Sequence, residues 1–135
     1  MMTTDGPSPR VLLVDDNAAV ARALASLLSR AGYEVLTAGS AREAEERLSE
    51  RFDVLVLDLR MPAMRGDAFY YLARARQPWL TDRTLFITGD ITEQAETIVR
   101  QTGCGMLPKP FRGEELLKAV VGLVPIPLRT IPRVG

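Results

Sequence analysis

The side chains best suited to chemistry stand at the ends of short apolar runs. Asp15 and Asp16 follow VLLV, residues 11–14. Asp58 closes VLVL, residues 54–57, and Thr88 closes TLFI, residues 84–87. Lys109 follows Met106-Leu107 and Pro108. Three carboxylates brought together repel one another. A hard divalent cation such as Mg²⁺ relieves that repulsion, because carboxylate oxygens are its preferred ligands. A lysine and a hydroxyl beside such an ion complete a cradle for a phosphoryl group. The chain has no histidine. That excludes Ser-His-Asp and Cys-His catalysis, histidine-ligated metal sites and a phosphohistidine carrier. Phosphoryl chemistry here must use carboxylates or hydroxyls.

Each residue also has a plain structural reading. Asp15 and Asp16 suit the cap and first turn of a helix, and Asp58 suits a turn. Thr88 is an ordinary strand residue, and Lys109 suits a surface. What outweighs these readings is that all the groups fall at the same end of their runs. Only two of the 17 basic residues are lysines, Lys109 and Lys118, so a lysine at that place is not casual.

The elements that must position these groups follow from periodicity. Residues 54–57 form an unbroken apolar run, the habit of a strand buried on both faces of a parallel sheet. It ends on Asp58, and Pro62 then blocks regular structure. Residues 11–14, 33–38 (YEVLTA), 84–87 and 106–107 read as the other strands. Val20, Leu24, Leu27, Leu28 and Ala31 recur at helical spacing, with Gly32 as the C-cap. Ser40 and Glu43 form a capping box that starts a helix running to about Glu50. Asp67 is placed as the cap of a third helix, from about Ala68 to Arg76, and Pro78 breaks the chain. A fourth helix covers 93–102 and stops at Gly103. A fifth covers 113–123, with Leu116, Leu117, Val120 and Leu123 as its buried stripe. Five strands alternating with five helices predict an α/β fold, a doubly wound, five-stranded parallel sheet with right-handed crossovers. In such sheets ligands bind outside the carboxyl ends of the strands.

Length and composition set the rest. The chain has 135 residues, of which 47% are hydrophobic, enough for one core. The expected division is a disordered leader at 1–9, a folded domain at 10–123 and a tail or linker at 124–135. Acids and bases balance at 17 each, which argues against a broad nucleic-acid footprint or anionic-membrane surface. Cys104 is the single cysteine, so no internal disulfide forms. No apolar stretch approaches the ~20 residues of a membrane helix, and no signal peptide opens the chain. A cytoplasmic protein without membrane insertion or direct nucleic-acid contact is expected. The phosphate motifs GxxxxGK and GxGxxG are absent.

The acid pair Asp15-Asp16, the stretch Asp58-Leu59-Arg60-Met61-Pro62-Ala63-Met64-Arg65-Gly66, Thr88, and Lys109-Pro110-Phe111 together resemble a response-regulator receiver domain of two-component signalling. The resemblance covers about residues 10–123 and implies the flavodoxin-like receiver fold. It implies that Asp58 is the phosphoacceptor. It also implies that Asp16, Asp58 and the backbone carbonyl of Arg60 bind Mg²⁺, with Asp15 acting through water. Lys109 would pair with a phosphoryl oxygen, and Thr88 would hold and sense another. A cis bond between Lys109 and Pro110 would aim the lysine inward. The implied partners are a histidine kinase or histidine phosphotransfer protein as donor, and an unknown downstream protein as target. The implied activity is self-phosphorylation and self-dephosphorylation, not that of a turnover enzyme. One position departs from the family. The switch aromatic three residues before the lysine is Met106, which has no ring to swing.

Two other readings compete. A pseudo-receiver would bind partners without phosphorylation, but the acids, the threonine and the lysine are all present. A Mg²⁺-dependent phosphohydrolase resembling the haloacid dehalogenases would carry a second aspartate two residues after its nucleophile, and that position is Arg60. Arg60 and Asp90, each two residues past a site residue, are expected to approach as a lid over the pocket.

Overall fold

A computed structural model describes residues 7–61, 64–89 and 93–126. Its elements, in chain order, are β1 (Arg10–Val14), α1 (Ala18–Ala31), β2 (Glu34–Ala38), α2 (Ala41–Arg47), β3 (Val54–Asp58), α3 (Gly66–Arg76), a 3₁₀ turn (Pro78–Asp82), β4 (Thr84–Thr88), α4 (Glu93–Thr102), β5 (Gly105–Pro108) and α5 (Gly113–Leu123). The strands form one parallel sheet in the order β2-β1-β3-β4-β5. This is the five-stranded, five-helix arrangement expected from the alternation of periods.

The unbroken apolar runs became the inner strands. Every residue of β3 and β4 is buried, and so is β1 after Arg10. The edge strands β2 and β5 are only partly covered. Alternate strand residues feed two cores. Leu12, Leu55, Leu57 and Phe86 pack under α2, α3 and α4. Val11, Leu13, Val54, Val56 and Ile87 pack under α1 and α5. Gly32 ends α1 at φ 118, in the left-handed region that favours glycine, and its N–H donates to the Leu28 and Ser29 carbonyls.

Several boundaries differ from the expectation. The second helix ends at Arg47 and not near Glu50, because the N–H groups of Leu48, Ser49 and Glu50 bond to carbonyls three residues back, those of Glu45, Glu46 and Arg47, and so tighten the last turn. Gln77 then covers carbonyls left open by that turn. Its buried amide Nε2 donates to Leu48 O (3.3 Å) and Glu50 O (2.8 Å), while its Oε1 accepts from Phe52 N–H at 2.9 Å. Asp67 does not cap the third helix. Arg65 is the N-cap residue, Gly66 starts the helix, and Asp67 lies in its first turn paired with the Arg65 guanidinium at 2.8 Å. Pro78 does more than break the chain, since it opens the 3₁₀ turn. Pro9, placed in the leader, is buried, and its carbonyl accepts from Glu34 N–H. The start of the expected tail packs back onto the domain. Val124 O accepts from Tyr33 Oη at 2.8 Å, and Val124 and Ile126 join the core beneath α1 and α5. Among the described residues no helix is long and apolar enough to cross a membrane.

Candidate functional site

In the order β2-β1-β3-β4 the connection leaving β1 runs to β2 on one side, and the connection leaving β3 runs to β4 on the other. The crevice beyond the carboxyl ends of β1 and β3 is therefore the topological switch point, where open α/β sheets bind ligands. Val14 and Leu57 are partners in register there. The next residues, Asp15-Asp16 on one strand and Asp58 on the other, necessarily meet. Asp15, Asp16 and Asp58 each offer a carboxylate oxygen within 4.8 Å of the others; Asp15 and Asp58 are buried and Asp16 is exposed.

Local backbone groups orient the two buried acids. Asp15 Oδ1 accepts from Asn17 N–H at 2.9 Å, and Asp58 Oδ1 accepts from Arg60 N–H at 3.0 Å. Each acid thus closes a small turn through one oxygen and keeps the other for the site. Asn17 is a positioning residue that motif reading overlooked. Its Oδ1 accepts from Ala19 and Val20 N–H, so Asn17, and not the acid pair, caps α1. The signal was visible, since Asn immediately before an apolar helical repeat is a start signature.

Lys109 arrives from β5. Its N–H donates to Thr88 O, and the Lys109–Pro110 bond is cis. Its Nζ lies 3.1 Å from Asp15 Oδ2 and 3.6 Å from Asp58 Oδ2. Lys109 therefore faces both buried acids. Burial raises the Asp58 pKa above 3.8. Asp15 and Asp16 add to the rise, and Arg60 N–H and Lys109 oppose it. Burial alone would lower the Lys109 pKa, but the hydrogen bond to Asp15 and the charges of Asp58 and Asp15 together outweigh it, so it is raised above 10.5. The acids hold Lys109 firmly charged, while burial still destabilises ionised Asp58.

This donor set fits Mg²⁺. It consists of hard carboxylate oxygens, buried on two sides and open through Asp16, with more negative charge than the lysine neutralises. Thr88 is buried at the same edge, one residue beyond Ile87, the register partner of Asp58. Arg60 is exposed beside Asp58. Met106 sits opposite Phe86 on β5 and packs, half-buried, on the core under α2, α3 and α4. Asp90, the other half of the expected lid, lies outside the described residues, as do Pro62 and Ala63.

Comparison with known proteins agrees with this geometry. The family model described as the response regulator receiver domain matches residues 11–121. The chain is 34% identical over 118 residues to the alginate biosynthesis transcriptional regulatory protein AlgB of Pseudomonas aeruginosa, covering 86% of this chain and 26% of that protein. It thus spans about a quarter of that relative's length. The chemotaxis protein CheY4 of Vibrio cholerae superposes with a TM-score of 0.78 at 33% identity, covering 87% of this chain and 99% of that one. A response regulator from Burkholderia pseudomallei, solved with a phosphorylated aspartic acid, a calcium ion and citrate, superposes with a TM-score of 0.75 at 29% identity, over 84% of this chain and 66% of that one.

Proposed function

Because the chain belongs to the response regulator receiver domain family, we propose that it is a phosphoacceptor in a two-component phosphorelay, with Asp58 as the acceptor. The observation that carries this reading is the pose of Asp58. One oxygen is tied to Arg60 N–H, and the other faces Lys109 at 3.6 Å beside two further acids. A phosphorylated aspartic acid in the related Burkholderia protein supports it.

Asp58 Oδ2 attacks the phosphorus of a phosphohistidine presented by a kinase or phosphotransfer protein. A P–O bond forms as the P–N bond breaks, and the imidazole leaves with the electron pair. Such transfer asks for positioning and charge neutralisation more than covalent help. Mg²⁺, held by Asp16, Asp58 and the Arg60 carbonyl with Asp15 acting through water, would supply positive charge against the phosphoryl oxygens. Lys109 moves from its carboxylate partners to a phosphoryl oxygen, and the Thr88 hydroxyl binds another. Burial of Asp15 and Asp58 keeps bulk water from the nucleophile. The chain changes its own phosphorylation state and is not a turnover enzyme. It acts in the cytoplasm by changing its affinity for a downstream protein, and Met106 stands where the family's switching ring would respond.

The test is incubation with acetyl phosphate, with and without Mg²⁺, followed by intact mass. One phosphoryl mass is expected with Mg²⁺ and none without it or in Asp58→Asn. A gain persisting in Asp58→Asn would reassign the acceptor. No gain with acetyl phosphate or a phosphohistidine donor would make the chain a phosphorylation-independent binding module.

A further inference from the structure

Gly66 opens α3 and is buried against the acceptor strand. A Cβ at this position would lie 2.5 Å from the Asp58 carbonyl oxygen, 3.1 Å from Leu59 Cα and 3.2 Å from the Asp58 carbonyl carbon. All three atoms are backbone, so no rotamer change relieves the contact. Among the described glycines, Gly113 has the comparable approach, and there the neighbour is the flexible end of Leu27 at 2.9 Å. Backbone conformation is not what selects glycine here, because the positive-φ glycines are Gly32 and Gly103. Helix propensity points the other way, since alanine is the better helix residue.

The contact falls on the peptide that aims the nucleophile. Leu59 N–H donates to Ile87 O at 2.9 Å, and Leu59 O accepts from Gly66 N–H at 3.1 Å. Arg60 N–H, one residue on, holds Asp58 Oδ1. The Asp58–Leu59 peptide is thus held by β4, and the next peptide, Leu59–Arg60, by the start of α3. Only a residue without a Cβ lets α3 close to that distance. We propose that Gly66 is a positioning residue, setting the Asp58 carboxylate and the Arg60 backbone relative to Asp15, Asp16 and Lys109. Its consequence for phosphorylation rests on the function proposed above.

Gly66→Ala tests this, with Gly113→Ala as the control for an added Cβ away from the site. In metal-free protein, amide NMR shifts of Gly66→Ala should change at Asp58, Leu59 and Arg60 and stay near wild type in β1, β2 and α5. Mg²⁺ affinity, read by direct titration, should fall about tenfold, as when a ligand's supporting contact is lost. The acetyl phosphate reaction should slow about a hundredfold, the cost of misplacing a reacting group by about 1 Å. Gly113→Ala should keep both values. If Gly66→Ala is insoluble, the same shifts are compared between Asp58→Asn and the Asp58→Asn, Gly66→Ala pair. Unchanged shifts at 58–60, wild-type Mg²⁺ affinity, or changes spread through the whole domain would each overturn the proposal. Failure of the wild type to accept a phosphoryl group would sink the proposed function alone, since the metal-free shifts and the Mg²⁺ titration still judge Gly66.

Discussion

Ionised Asp58 should destabilise the metal-free domain, so Asp58→Asn is expected to raise its stability. At an effective dielectric constant of about 20, the carboxylate oxygens, all within 4.8 Å of one another, repel by at least roughly 3 kcal/mol per pair, and charges 3.6 Å apart attract by roughly 5 kcal/mol. Asp15 and Asp16 repel the Asp58 carboxylate while Lys109 attracts it. Exposure of Asp16 weakens its share, so attraction and repulsion nearly cancel. The desolvation of a carboxylate whose side chain is only 7% exposed then decides the sign. Asparagine keeps an oxygen for Arg60 N–H and carries no charge. A gain of about 2 kcal/mol is expected at pH 7.5 in EDTA, or roughly 6–8 °C in Tm for a domain of this size. The pH dependence follows from the raised pKa. Between 3.8 and the higher folded value, the folded state holds a proton that the unfolded chain has released. Stability therefore falls as pH rises through that window and stays reduced above it. The advantage of Asp58→Asn should be full at neutral pH and vanish as pH drops towards 3.8. Saturating Mg²⁺ should narrow the gap by stabilising wild type, about 2.7 kcal/mol at a hundred times Kd. Urea unfolding across pH, with EDTA or Mg²⁺, reads all of this. A less stable Asp58→Asn in EDTA, or an advantage that persists to low pH, would refute the argument.

Lys109→Met leaves Asp15 buried without its cation, and urea unfolding at pH 7.5 should show a loss of about 1–3 kcal/mol, since the lysine is partly exposed. The same variant should slow acetyl phosphate transfer by about a hundredfold or more, as when one preorganised charge-stabilising group is removed. Gln77→Ala strips Phe52 N–H and two carbonyls of a buried partner, and should cost about 3 kcal/mol by urea unfolding while leaving the Mg²⁺ affinity at its wild-type value. Tyr33→Phe removes the hydroxyl that holds Val124 O, and a drop of about 1 kcal/mol with unchanged phosphorylation is expected, because this contact lies far from the strand ends that carry the acids.

The runs VLLV, VLVL and TLFI specified buried inner strands without any tertiary information, since a run with no polar alternation has no face to give to water. Parallel strands all end at one edge, so the gathering of Asp15, Asp16, Asp58, Thr88 and Lys109 also followed from sequence order alone. The ends of elements were harder to read. The second helix stops at Arg47 as its last turn tightens, and the Leu48 carbonyl beyond it is taken by Gln77, 29 residues further on. Asn17 displaced the acid pair as the cap because Asp15 turned its own oxygen to Asn17 N–H. Val124, 91 residues from Tyr33, stayed packed where its neighbouring prolines suggested a free tail. The electrostatic division within the site was likewise a tertiary outcome. Asp15 and Asp16 are neighbours of one type, yet the turn after β1 buries the first and exposes the second. Lys109 stands closer to Asp15 than to Asp58, from 94 residues away. Side-chain type and strand order determine which groups meet. Depth, distance and partner depend on how the loops close over the sheet, and no local pattern in the chain encodes that closure.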